Sequence, residues 1–184
     1  KDSDKPKVPD LAKMLQEYLS SKKQCDVLLT REPTDGQYGR EIRDILAHEE
    51  NPNENAEKML GLFLKDRKEH LKNEIIPFLS KKGVKKNAVI CDRYYYSTIA
   101  FQSTQGIDVK LLIEKNKDFL KPDIAFIMDI RPEDALERIK NRKKEKFEQY
   151  SFMKELRGKF LQLPDIIDDN IKVINASAIS NEVL

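Results

Sequence analysis

The stretch V-I-C-D-R-Y-Y-Y-S-T-I-A-F-Q, Val89 to Gln102, decides how the chain is read. An apolar run stops there at an adjacent acid and base, Asp92 and Arg93. The run has the length and character of a buried strand, and the carboxyl rim of an open parallel sheet is where ligands bind. Two other strand-like runs end alike: Asp26 to Thr30 leads into Arg31 and Glu32, and Ile124 to Asp129 leads into Arg131. Acids and guanidiniums gathered on one edge suit phosphoryl chemistry. Guanidinium forks match phosphate oxygens, and a carboxylate can hold hydrated magnesium or orient a nucleophile.

Outward from that stretch, helical patterns alternate with the strands. Apolar residues at Leu11, Met14, Leu15, Tyr18 and Leu19 mark one helix face, with Asp10 as its N-cap. Residues 1–10 read as a loop, Gly39 to His48 as a short helix with Ile42, Ile45 and Leu46 inward, and Glu49 to Asn55 as a polar linker. Ala56 to Ser80 reads as a long helix that Pro77 kinks or breaks. Helices are expected over Tyr94 to Gln105, over Val109 to Leu120, from Pro132, and over Phe147 to Leu163, with a last strand at Ile171 to Ala176. Alternating strands and helices predict a three-layer α/β fold, a parallel sheet with helices on both faces, built as a single domain over residues 1–184.

Composition excludes several classes of function. The charged fraction is 36% but the formal net charge is only +2, so no global field recruits nucleic acid or an anionic membrane. No apolar run approaches a membrane span. Cys25 and Cys91 are too few for a disulfide framework, read as buried small apolar residues, and favour a reducing, cytoplasmic setting.

Each candidate has a plain structural alternative. Asp92 with Arg93 could be a solvated pair, and only the repetition of the arrangement argues otherwise. Phe63, Arg67 and His70 share a helix face, where an aromatic is usually core, although a ring and a guanidinium four residues apart can hold a flat, polar-edged ligand. His70 reads as structural or exposed rather than catalytic, since nothing pairs it with a nucleophile. At most one or two of Tyr94, Tyr95 and Tyr96 can face a site. The basic run Arg138, Lys140, Arg142, Lys143, Lys144 and Lys146 is either a solvated face or a lid whose cations neutralise transferring oxygens.

Four segments together resemble thymidylate kinase, a P-loop nucleoside monophosphate kinase family: T-R-E-P-T-D-G from Thr30, L-F-L-K-D-R-K-E-H from Leu62, D-R-Y-Y-Y-S-T-I-A-F-Q from Asp92, and M-D-I-R-P-E-D-A-L-E-R-I-K-N-R from Met128. The resemblance implies γ-phosphoryl transfer from Mg-ATP to dTMP. It places Phe63 on the thymine ring and Arg67 on the base edge, with Ser97 and Gln102 near the base. Phe101 packs against the sugar, where the family often has Tyr. Arg31 and Arg93 fall on the dTMP phosphate, and Asp92 on magnesium and phosphoryl positioning. Arg138 and Arg142 fall in the lid, about residues 138–150, with Arg142 as the lid arginine. A homodimer is also implied.

One departure from the family pattern stands out. No phosphate loop, G-x-x-x-x-G-K-[ST], occurs in these residues. The family's strand order, second-third-first-fourth-fifth, puts the first strand between those at Ala88 and Ile124, and it too is not visible. The expectation is a chain lacking part of its natural N-terminus, with Lys1 as the candidate lysine of a phosphate-loop remnant. Two alternatives stay open: a kinase for another deoxynucleoside monophosphate, and a kinase-like nucleotide-binding domain without transfer activity.

Overall fold

The architecture rests on two parallel strand pairs. In this computed structural model, residues 8–48, 55–138 and 150–177 are described. β1 (Asp26–Arg31) pairs with β2 (Asn87–Asp92), and β3 (Ala125–Asp129) pairs with β4 (Ile171–Asn175). Both pairs are parallel, and their register sets Arg31 opposite Asp92 and Asp129 opposite Asn175. The chemistry at strand ends therefore collects at carboxyl rims, as the α/β reading expects. The pairs match the second-third and fourth-fifth neighbours of the implied order. Among the described residues no strand joins β2 to β3.

Eight helices are described: α1 (Val8–Lys22), α2 (Gln37–His48), α3 (Ala56–His70), α4 (Ile76–Leu79), α5 (Tyr95–Thr104), α6 (Val109–Asn116), α7 (Pro132–Arg138) and α8 (Tyr150–Ile166). α1 begins before Asp10, which is thus inside the first turn and is not the N-cap. The long helix expected through Ser80 is interrupted by a π turn over Leu71–Ile75. Pro77 explains the break, since it cannot donate to the carbonyl one turn back, and a widened turn accommodates that loss. At α6 the Asp108 carboxylate caps the helix, accepting from the Lys110 and Leu111 amides at 2.6 and 3.3 Å.

The main core joins Leu60 and Leu71 of the α3 region to the tyrosines at the start of α5, Leu112, Ile127 and Leu163. Ile42, Met59 and Leu62 form a second cluster between α2 and α3, with Ile45, Leu46 and Phe63 packed against it. Cys25 and Cys91 are only half-buried, a correction to their reading as core residues: each lies at a strand end. Burial pushes the Cys91 thiol up, which keeps it protonated and unreactive.

Candidate active site

The loop after β1 is held by one polar face of α3. Residues three and four apart are neighbours on a helix surface, so Asp66 and Arg67 both flank His70, and all three turn toward residues 30–34. Asp66 accepts from the Thr34 amide at 2.9 Å and from the Thr34 hydroxyl at 2.5 Å. Arg67 donates to Glu32 Oε2 through Nε at 2.9 Å and Nη2 at 2.7 Å. His70 Nδ1 lies 3.2 Å from Glu32 Oε1. From the other side, Arg43 of α2 donates to the carbonyls of Pro33 and Thr34 at 2.8 and 2.7 Å. The Glu32–Pro33 peptide is cis.

Arg67 is the most enclosed charge of the group, at 1% exposure, and Glu32 is 4% exposed. Arg67 Nη1 donates to Asn116 Oδ1 at 2.7 Å and Nη2 to Thr98 Oγ1 at 3.0 Å. Its guanidinium lies over the Tyr94 and Phe119 rings, 5.1 and 5.5 Å from their centroids. A guanidinium carries five N–H groups, and four are used in these bonds. One N–H on Nη1 remains without an acceptor among the described residues.

A cleft of about 600 Å³ opens at the carboxyl rim of β1 and β2, lined among others by Thr30, Arg31, Thr34, His70, Glu74 and Asp92. Of the residues expected at the site, Arg31 and Asp92 line it, whereas Phe63, Arg67, Arg93, Ser97, Phe101 and Gln102 do not. Arg31 is exposed and pairs with exposed Asp35 at 3.1 Å. Asp92 and Arg93 have no side-chain partner among the described residues, and Arg93 is exposed at φ 67. An arginine in the left-handed region is strained, and such strain clusters at ligand sites.

On α5, Thr98 and Gln102 are one turn apart and both buried. Gln102 is 2% exposed, and its amide nitrogen donates to Gln105 Oε1 at 3.1 Å. Its Oε1 is buried without a hydrogen-bond partner among the described residues. Ser97 is half-buried, and the Phe101 ring packs on Phe152 of α8 at 5.8 Å. None of the three tyrosines offers its hydroxyl to the cleft: Tyr94 donates to the Leu120 carbonyl at 3.0 Å, and Tyr95 and Tyr96 both donate to Asp169. The third rim pair is also dissolved. Asp129 binds Arg157 of α8 through two bonds at 2.6 and 2.9 Å, and Arg131 turns to Asp134. Lys1, Arg142 and the rest of the expected lid, together with the Arg138 side chain and the linker after His48, lie outside the described residues.

The family model for thymidylate kinase matches residues 10–184. The chain belongs to the thymidylate kinase family. A protein of Pyrococcus horikoshii named "Probable thymidylate kinase" is 36% identical over 170 residues, covering 90% of this chain and 80% of that one. Another of that name, from Methanocaldococcus jannaschii, is 37% identical over 178 residues, covering 94% and 87%. The crystal structure of thymidylate kinase from Ehrlichia chaffeensis superposes with a TM-score of 0.64 at 28% identity, covering 91% of this chain and 82% of that one. The α/β kinase fold expected from the sequence is thereby shown, and so is the class of enzyme, a phosphotransferase.

For a thymidylate kinase the polar network behind the site is the part that sequence reading missed. Glu32 reads there as half of a rim pair with Arg31, and the structure turns it inward to Arg67. Thr98, Asn116 and Asp66 carry no local signal beyond being polar residues in helices. Glu32, His70 and Cys91 approach within 4.8 Å. A metal there would compete with Arg67 for Glu32 and would require the thiol to lose its proton, so the donor set fits an ion poorly.

Proposed function

We propose that the protein transfers the γ-phosphoryl group of ATP to dTMP, giving dTDP, and that thymine is held between α3 and α5. The observation that carries this reading is the buried, unpartnered Gln102 Oε1. Thymine presents one N–H donor flanked by two carbonyl acceptors. Gln102 Oε1 supplies an acceptor for the donor, and the remaining Arg67 N–H supplies a donor for a carbonyl. Phe63, one turn before Arg67 on α3 and half-buried, offers the ring face. Phe101 stands with Gln102 on α5 as the wall against the sugar, and Ser97 adds a hydroxyl near the base.

The acceptor phosphate is assigned to Arg93, whose side chain is exposed and without an ion-pair partner among the described residues, and to Arg31, whose exposed ion pair is weak enough to exchange for phosphate. Rate acceleration in such a site comes from positioning and charge neutralisation. The Asp92 carboxylate, at the strand end and without a side-chain partner among the described residues, suits magnesium, which retains water and takes one or two carboxylates beside phosphate oxygens. Magnesium, when bound, neutralises charge on those oxygens. Lys1, Arg138 and Arg142 are assigned to ATP by the same reading. So are a single domain, which the continuous core from α3 to β4 supports, a homodimer, and a cytoplasmic setting. No described helix is long and apolar enough to cross a membrane.

Calorimetric titration of the full-length protein with dTMP tests the base site. Phe63→Ala is expected to weaken binding by about 1–3 kcal/mol, the usual range for a lost base stack. Unchanged affinity counts against the assignment.

A further inference from the structure

His70 has no place in the reaction assigned above, yet it is buried in the polar network at the wall of the cleft. Its Nδ1 lies 3.2 Å from Glu32 Oε1, and a carboxylate only accepts, so Nδ1 carries the proton of that bond. Its Nε2 lies 2.8 Å from Thr30 Oγ1 and 3.2 Å from Glu74 Oε2. The two oxygens of Glu32 are thus divided, Oε1 held by His70 and Oε2 by the Arg67 fork. Without His70 the Glu32 carboxylate is held only through Oε2, and the Arg67 fork loses the brace on Oε1 while keeping its bonds to Thr98 and Asn116.

We propose that His70 is a positioning residue for dTMP: through Glu32 it holds the Arg67 guanidinium in the orientation that reads the base. The inference rests on the thymine site assigned above and extends it by one residue. A positioning role depends on the Nδ1 side of the ring, because only that side reaches Glu32. Asparagine places its amide nitrogen near the Nδ1 position, and glutamine places its own near Nε2. Helix propensity ranks glutamine above asparagine. A purely structural role therefore makes His70→Gln at least as good as His70→Asn in both stability and affinity.

The two variants and the wild type are titrated with dTMP by calorimetry, with melting temperatures measured in parallel. His70→Gln is expected to raise the dTMP Kd about tenfold, the effect of one lost charge-assisted hydrogen bond, and His70→Asn to stay within about threefold of wild type. Equal affinities in all three proteins, or tighter binding by His70→Gln than by His70→Asn, would overturn the proposal. Wild type that does not bind dTMP would instead overturn the assignment of the thymine site. Long-range ¹H–¹⁵N correlation on wild type needs no folded variant, and a His48→Asn sample assigns the signals. A proton on the His70 Nδ1 supports the proposal, and a bare Nδ1 refutes it.

Discussion

Replacing Arg67 by methionine removes the charge that compensates Glu32. The structure sets the scale. Glu32 is 4% exposed and accepts two charge-assisted bonds from Arg67, so the variant leaves a carboxylate in the core with only His70 beside it. Lost hydrogen bonds alone would amount to about 1–3 kcal/mol. Orphaning one member of a buried ion pair typically costs about 3–5 kcal/mol, and that larger effect should dominate here. Methionine fills much of the space between the Tyr94 and Phe119 rings, so a cavity adds little. Against a total stability of about 5–15 kcal/mol, the variant should be marginal at 37 °C. Adding Glu32→Gln removes the orphaned charge and should restore about half of the loss. Urea unfolding followed by circular dichroism measures both, read as a shift in midpoint at constant slope. A loss below about 1 kcal/mol for Arg67→Met, or a double variant less stable than the single one, would refute the claim that the Glu32 charge dominates.

Other perturbations follow from the same geometry. Gly39→Ala would put a Cβ 1.9 Å from the Thr34 carbonyl oxygen, so the loop after β1 must move; a loss of about 1–3 kcal/mol in thermal or urea unfolding is expected, together with weaker dTMP binding. Arg93→Gly relieves about 1–2 kcal/mol of left-handed strain and forfeits about 0.5–1 kcal/mol of chain entropy, so stability should hold or rise slightly while phosphoryl transfer is lost in a coupled kinase assay. Hydrogen bonds from Arg157 hold the Asp129 carboxyl below its usual range. A lowered folded-state pKa stabilises above the unfolded value and ceases to do so as pH falls through the folded one. The stability gap between wild type and Asp129→Asn should therefore be constant near neutrality and shrink below about pH 4, as urea unfolding at pH 7 and pH 3 would show.

Much of the architecture was legible in the chain itself. Apolar runs of strand length ending in charge located β1, β2 and β3, and apolar spacing located most helices, because backbone hydrogen bonding imposes its period over a few residues. The same periodicity put Phe63, Arg67 and His70 on one face of α3. Four motifs in order identified the family, and they did so without the tertiary structure.

The partners of each charge were a different matter. Arg67 meets Glu32 and Thr98, 35 and 31 residues away, and Asn116, 49 residues away. Asp169 collects the Tyr96 hydroxyl from 73 residues off. Asp129 passes over nearby Arg131 for Arg157 on α8. Local sequence can say that a residue is charged and which face of a helix it occupies. Which opposite charge it meets is settled by strand register and helix packing, since a charge that packing withdraws from water must be met by whatever polar groups the fold brings within about 3 Å of it.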